Sequence, residues 1–422
     1  MNNNTHKLKY LINIRKGKNP NQFMDTGLIP YLTMDYLRYR DKDIKYPQLD
    51  DDLIFIDKNE ILVLWDGANA GEIIKSRKGI LSSTMAHITS RHKSLKNNFL
   101  YYLLKNHEQV LKEFAGGTTI PHLSPSSLLH FSFFIPKLTE QTAIANFLDK
   151  KTSQIDKAIE LKERTIALLK ERKQIVIQDL VTGKKVWNQE KQEWTKPIQV
   201  KDSGVEWLGE IPEHWEVEKL KFSGKIYAGL SGKSGVDFSK EPKKNHKPYI
   251  PFTNIYNNTV IDVNDYHFVK IDEYEQQNYV KNNDLLFLMS SETLEDIGKN
   301  ALFKDKTSVF LNSFCKGFRI YDKNVYPEYL NYLLLASPYR EYFAMVARGF
   351  TRINLKQEYV LNMPILKLDL KEQQKIATFL DEKTAKIDKA IELKEQAIEK
   401  LKELKATLID SAVTGKMKVN EK

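Results

Sequence analysis

The sequence predicts an α+β protein: two similar mixed α/β globules separated by two long helices that form an antiparallel coiled coil with pseudo-two-fold symmetry. Three observations predict it. Residues 138–184 and 370–416 align without a gap at a constant offset, with 29 of 47 positions identical, far beyond chance for an internal repeat. Both copies lack proline and carry glycine only at Gly183 and Gly415, past the last apolar turn, where a helix stops. Short words of sequence outside the copies also recur in the same order in the two halves. Two copies at so long a period mark a duplicated half-molecule, not a solenoid.

Each copy reads as one helix. Positions alternately four and three apart give Ile155, Ile159, Lys162, Ile166, Leu169, Lys173, Val176 and Leu180 in the first. In the second they give Ile387, Ile391, Lys394, Ile398, Leu401, Lys405, Leu408 and Ala412. Each run is a heptad seam of about three and a half heptads. Lysine stands at the same two places in both seams, which costs stability and can fix register. Asp369 and Glu372 have capping-box spacing, and Thr139 is the expected cap of the first helix. A helix of ~45 residues would be ~68 Å long. The residues also allow two exposed arms, or core helices of one domain; the matching seams favour pairing with each other.

The bulk properties bound the rest. The 422 residues suffice for two or three domains, with 41% apolar and 28% charged residues, as in ordinary globular proteins. Net charge is +10 and the isoelectric point about 9.1, so an anionic partner is plausible. Residues 139–184 contribute +2 (nine basic, seven acidic) and residues 371–416 +1 (ten and nine). The remaining +7 therefore lies outside the helices. The single cysteine, Cys315, excludes disulfides within the chain and a cysteine zinc site. No apolar run reaches membrane-spanning length and the polar start is no signal peptide, so the expected compartment is the cytoplasm.

In chain order, residues 1–137 form a first globule and 138–184 the central helix. Residues 185–202 are a connector, 203–369 a second globule, 370–416 the C-terminal helix and 417–422 a tail. In the first globule Leu53–Ile56 and Ile61–Trp65 read as buried strands. Asp66–Gly71 is a turn-rich loop. Phe99–Lys105 continues as a helix through Phe114, residues 116–121 form a loop, and Phe131–Ile135 is a strand ended by Pro136. The connector, with Trp187 and Trp194, suggests a short hairpin. Trp207 and Trp215 follow and must pack somewhere. The second globule repeats the first: Leu220-Lys221-Phe222 echoes Leu8-Lys9-Tyr10, and Ile250-Pro251-Phe252 echoes Ile29-Pro30-Tyr31. Asn283–Leu288 echoes Asn59–Leu64, Asn312-Ser313 echoes Ser82-Ser83, and Tyr329–Leu334 echoes Phe99–Leu104. Gly349-Phe350-Thr351 echoes Gly117-Thr118-Thr119. Framework words recur while the text between them differs, as two binding modules of different specificity would show; duplication followed by drift is the alternative, against which the helices stayed nearly identical while the globules diverged.

Signs of covalent chemistry are missing. There is no Asn/Asp-Pro-Pro-Tyr tetrapeptide and no His-Glu-x-x-His. Gly229, Gly232, Lys233, Ser234 and Gly235 lack Walker spacing, because Tyr227 stands where the first glycine belongs. His87, His92 and His107 have no metal-ligand spacing, so no metal site is expected. Recognition remains. Basic residues cluster in turn-rich segments beside Tyr, Asn and Ser. They are Arg15, Lys16 and Lys18; Arg38 and Arg40 around Tyr39; Arg77 and Lys78; and Arg91 with Lys93. In the second globule they are Lys233, Lys243, Lys244 and Lys247, then Arg348 and Arg352. Lys and Arg neutralise phosphates, and Arg, Asn, Gln and Ser read base edges. These residues are the candidate DNA contacts, with no catalytic residue among them.

The architecture resembles the specificity subunit of Type I restriction-modification systems. The resemblance rests on Leu138-Thr139-Glu140-Gln141 with Ile144-Ala145 and Leu148-Asp149. These recur as Leu370-Lys371-Glu372-Gln373, Ile376-Ala377 and Leu380-Asp381. It rests also on the helix ends Val181–Lys184 and Val413–Lys416, and on Asp202–Trp215, which is similar to the segment opening a target recognition domain. The resemblance implies two target recognition domains, each reading half of a split double-stranded DNA site, spaced by the coiled coil. It implies two methyltransferase subunits and two ATP-dependent restriction subunits as partners. S-adenosylmethionine, ATP and magnesium would sit on those partners, with no cofactor on this chain. One departure is that the first globule lacks a counterpart of Asp202–Glu216: an upstream start, a naturally short domain, or packing of the later segment against it would each account for this. The residues alone leave open a coiled-coil adaptor with two protein-binding domains, whose binding would be insensitive to salt.

Overall fold

The computed structural model describes residues 5–39, 44–116, 121–129 and 131–419. The chain forms two compact units, Met1–Arg164 with Lys394–Lys422, and Thr165–Leu393. Each unit therefore holds one globule and one half of each long helix.

In the first unit a four-stranded antiparallel sheet has the order Ile12–Lys16, Met85–Ser90, Ile61–Leu64, Ile73–Lys75. Every residue of Ile61–Leu64 is buried. An unbroken apolar strand is the signature of a sheet covered on both faces, and alternate side chains enter two cores. Ile61, Val63 and Trp65 face Phe99, Leu100 and Leu103 and the long helices. Leu62 and Leu64 face Leu32, Leu37, Ile56 and Leu81, carried partly by a small sheet in which Tyr31–Leu32 runs parallel to Gly79–Leu81.

Two expectations are corrected here. Only Phe55–Ile56 of the segment 53–56 is a strand, and Phe55 is exposed. Asp50 accepts the Asp52 N–H and its carbonyl accepts the Leu53 N–H, which holds Leu53 in a turn. The helix expected through Phe114 is two helices, Asn97–Asn106 and Glu108–Ala115. His107 ends the first by donating Nδ1–H to the Leu103 carbonyl, and Glu108 turns away to accept the Ile73 N–H and the ammoniums of Lys105 and Lys112.

The second unit repeats the plan. Its antiparallel sheet has the order Gly224–Ala228, Cys315–Ile320, Leu285–Leu288, Asn300–Leu302. Leu285 and Phe287 enter one core, Leu286 and Leu288 the other. His246–Ile250 pairs in parallel with Phe310–Leu311. The connector forms the hairpin Val186–Asn188 and Glu193–Thr195, with Trp187 opposite Trp194. Trp194 lies against Phe379, and the Lys375 ammonium stands 3.7 Å from the Trp187 ring centroid. Trp207 stacks on Tyr342, and Trp215 is fully buried. The segment opening the second globule thus packs within its own unit.

The long helices are Leu138–Val181 and Leu370–Val413, each of 44 residues. In the first unit their halves pair antiparallel: Lys405 Nζ contacts both carboxylate oxygens of Asp156, at 2.6 and 2.8 Å. Farther along, Ile144, Ala145 and Leu148 share a core with Ile409, Ala412 and Val413. The second unit has the same pairing from the exchanged halves. Lys173 Nζ lies 2.7 Å from both oxygens of Asp388, and Ile177, Leu180 and Val181 share a core with Ile376, Ala377 and Leu380. None of the sixteen seam residues is exposed. Two of the four seam lysines are held by an aspartate of the facing helix, which satisfies their charge at the seam's edge. Both helices end on a glycine in the left-handed region, Gly183 at φ 75° and Gly415 at φ 74°, followed by a closing bond from Lys185 N–H to Asp179 O and from Met417 N–H to Ser411 O.

Helix starts differ from expectation in two details. Thr139 lies inside the first helix and is not its cap. Asp369 caps the second by accepting the Lys371 N–H at 2.8 Å, but Glu372 does not complete a capping box. Its carboxylate instead accepts from His214 Nε2 and Trp215 Nε1.

The recurring Glu-Gln…Ile-Ala…Leu-Asp word acquires a physical role. Gln141 is fully buried; its amide donates to the carbonyls of Ser94 and Pro136 and its oxygen accepts the Lys96 N–H. Gln373 makes the matching set with the carbonyls of Asn324 and Leu368 and the Tyr326 N–H. One helical turn past Ala145 and Ala377, the Tyr102 hydroxyl donates to Asp149 at 2.6 Å and the Tyr332 hydroxyl to Asp381 at 2.7 Å. Glutamine and aspartate thus lock each globule to its helix at two points. Replacing Gln373 by leucine strands one buried N–H and two carbonyls, at about 1–3 kcal/mol each. Calorimetry of the purified chain should show a loss of at least about 3 kcal/mol, with a clearly lowered melting midpoint.

Candidate nucleic-acid interface

The two globules are built alike where the backbone has no freedom. Asn59 and Asn283, which precede the matched buried strands, both take the left-handed region, at φ 69° and 70°. A Cβ on Gly17 would lie 2.1 Å from the Ser82 carbonyl oxygen, and one on Gly229 would lie 2.1 Å from that of Asn312. Only glycine lets those strand ends cross so closely. On these constants sit side chains that differ.

In the first unit, Arg15 Nη2 lies 3.2 Å from His87 Nδ1, and His87 Nε2 lies 3.0 Å from Glu60. The guanidinium can only donate, so Nδ1 accepts and Nε2–H donates to the carboxylate. In the second unit the matched strands carry Tyr227, Arg319 and Asp284. Asp284 is buried and accepts the Tyr227 hydroxyl at 2.6 Å and two Arg319 nitrogens at 3.1 and 2.7 Å. Burial and the adjacent Asp284 charge push the Tyr227 phenol up, and the bond to Asp284 pushes the Arg319 guanidinium up. The sequence marks Arg15 as a candidate contact, but it marks His87 only as lacking metal-ligand spacing and does not single out Asp284 or Arg319. The echo of Asn59-Glu60 in Asn283-Asp284 was the signal of this second cluster.

The other candidate DNA contacts fall into three groups. Several are engaged within the chain. Lys16 bridges Asp66 at 2.8 Å and Lys18 bridges Asp52 at 3.2 Å. Arg38 pairs with Glu72. The Lys233 side chain is almost wholly buried against Glu275, so the glycine-rich loop presents no free lysine at that position. Arg91 donates to the carbonyls of Lys9 and Tyr10, and Arg348 to those of Met345 and Ala347. A second group lies on aromatic rings at the surface: Arg77 over Tyr36, Lys78 over Phe55 and Arg352 over Phe314. A third group, Lys93, Lys243, Lys244 and Lys247, is exposed with no ion pair among the described residues. Lys93 and Arg91 line an open cleft of about 540 Å³ whose wall includes Gln141, Thr142 and Asn146 of the long helix. Tyr39 is exposed, whereas Arg40 and the segment Gly117-Thr118-Thr119-Ile120 lie outside the described residues. The structure brings Arg38 and Arg77 to one small helix, Met34–Tyr39, through Tyr36.

The family model described as "Type I restriction modification DNA specificity domain" matches residues 2–171 and 212–403. The chain belongs to this family. Both matches include a globule and most of a long helix. Among curated relatives, the Type I restriction enzyme MjaVIII specificity subunit of Methanocaldococcus jannaschii is 29% identical, covering 98% of this chain and 91% of its own. The EcoKI specificity subunit of Escherichia coli is 24% identical over 92% of this chain and 84% of its own. A solved chain described under complex assembly and conformational transition of the type I R-M system aligns with TM-score 0.65. It is 13% identical and covers 98% of this chain and all of its own. That likeness supports the fold of two globules and two long helices.

Among the described residues no group of three or more His, Cys, Asp or Glu is placed to hold a metal ion, and no helix is long and apolar enough to cross a membrane. Cys315 is buried, and burial raises its thiol well above the ordinary range. One ionic cluster bears on pH. Burial would raise the Asp66 carboxyl, but bonds from Lys16 and His122 outweigh it and hold the group below its ordinary value of 3.8. A carboxylate depressed in the folded state stabilises above its unfolded pKa and loses that contribution as pH falls through the folded one. Melting midpoints of wild type and Asp66→Asn measured from pH 5 down to about 2.5 should converge as pH falls, with the variant less acid-sensitive.

Proposed function

We propose that this specificity subunit directs methylation and restriction by reading a bipartite DNA site. Each unit contacts one half-site through loops in the major groove, and the paired helices set the gap and dock the catalytic partners. Those partners are two methyltransferase subunits and the ATP-dependent restriction subunits. They carry S-adenosylmethionine, ATP and magnesium, and this chain is a non-catalytic member of the complex, working in the cytoplasm on double-stranded DNA. The observation that carries the reading is the separation of constant from variable. Gln141 and Gln373, Tyr102 and Tyr332, and Gly17 and Gly229 do the same work at matched places. The polar clusters and loop residues that sit on them differ in chemistry. Common anchoring with different surfaces is what two readers of different half-sites need, because base contacts specify while phosphate contacts position.

Two outcomes follow for cells carrying the chain with its methyltransferase. Exchange of the second globule, residues 203–369, for that of another specificity subunit should change one half-site of the methylated sequence and leave the other intact. A change in both halves would contradict modular reading. Inserting four residues at matched positions of both helices extends each by ~6 Å, which at ~3.4 Å per base pair widens the gap by about two base pairs. A methylation map with the gap unchanged would rule out the helices as the spacer.

A further inference from the structure

The second unit carries an aromatic loop tip that its own fold does not use. Arg348 and Asn354 exchange backbone bonds, N–H to O at 3.1 and 2.8 Å, and close the loop between them. The base is anchored. Ile353 pairs with Ser291 and is buried, and Leu355 N–H bonds to Met289 O. The Arg348 guanidinium is spent on the carbonyls of Met345 and Ala347, which stiffens the approach to the tip. At the tip Gly349 has φ 146°, and a Cβ there would lie 2.0 Å from the Arg352 carbonyl oxygen. The turn therefore requires glycine, and it leaves the next residue, Phe350, fully exposed. Two residues on, the Arg352 guanidinium stands 4.4 Å from the centroid of Phe314, which is itself half exposed.

A phenyl ring held wholly in water on a rigid loop forgoes all the stabilisation that burial would give it. Two residues along the loop, a cation lies over a second ring. A guanidinium laid over an exposed ring in the same loop supplies the cation and π-face chemistry that stacks on nucleobases, and an apolar ring left in solvent at the tip of a closed turn is the form of residues that wedge between base steps. The sequence of the first unit has Thr118 at the place of Phe350, Thr84 at that of Phe314 and Ile120 at that of Arg352, so the two sequences differ at all three positions. We propose that Phe350 is a wedge that stacks on a base of the half-site read by the second unit, with Arg352 on the adjoining phosphate. This rests on the reading of that unit as a DNA-binding head.

The test uses the full chain assembled with its methyltransferase subunits and a duplex carrying its methylated site, with 2-aminopurine placed at successive positions of that half-site. Phe350→Ala should weaken specific binding by about tenfold or more and abolish the fluorescence change at one step. Non-specific binding and the melting midpoint should stay unchanged. Phe350→Trp, which keeps a stacking face, should restore both signals. Specific binding and fluorescence by Phe350→Ala equal to wild type would overturn the wedge while leaving DNA reading by this unit intact. A loss confined to assembly with the methyltransferase, seen by gel filtration, would reassign Phe350 to a protein contact and overturn it too. Loss reproduced by replacing half-site thymines with deoxyuridine, with fluorescence unchanged, would make it a methyl contact and not a wedge. Failure of the wild-type assembly to prefer its site over unrelated DNA would instead defeat the underlying reading.

Discussion

The structure depends on a constraint at the start of each long helix: one buried glutamine must satisfy three backbone groups of the adjacent globule at once. Gln141 and Gln373 do this with the same geometry, to within the chain's own repeat. Buried backbone groups left unpaired are expensive, so neither glutamine can be replaced by an apolar residue of similar size at small cost. The helix that follows is then committed on several faces. Ile144, Ala145 and Leu148 fill the globule's core, Asp149 holds a tyrosine, and the seam beyond meets the facing helix. A residue with two neighbours to satisfy has little room to change. That accounts for the likeness of the two helices where they meet a globule or the facing helix, though not at exposed matched positions such as Leu161 and Leu393.

Within each globule the same economy applies to the central strand. Its apolar side chains alternate between two cores, so it tolerates no polar residue on either face. Variation is displaced to strand ends and loops. On the strands beside the central one the two heads also differ: the first holds a histidine between an arginine and a glutamate, and the second a buried aspartate between a tyrosine and an arginine. Both arrangements close their hydrogen bonds, and they do so with different groups.

Charge behaves less simply than its sum implies. A net +10 suggests broad phosphate affinity, but much of the basic side-chain population is engaged locally. Lys16, Lys18, Arg38 and Lys233 each face a carboxylate, and Arg91 and Arg348 are bound to carbonyls of the chain. The exposed pair Lys18–Asp52 contributes little to stability. These engagements do position side chains, and among the candidate contacts they leave Lys93, Lys243, Lys244 and Lys247 exposed.

The sequence by itself determined the duplication, the two helices, the heptad seams and the family, because these are local or periodic properties that one chain displays along its length. It also marked the matched strands, since a fully buried strand must be apolar throughout. The tertiary structure alone decided what the recurring words do. That Gln141 reaches Ser94, that Glu372 serves Trp215 and not a capping box, and that Lys233 is buried against Glu275 are facts about residues distant in sequence. Composition ranked Arg348 and Arg352 alike. Their surroundings separated them, one turned back onto carbonyls and the other laid over the half-exposed ring of Phe314, because a side chain's availability is set by what folds against it.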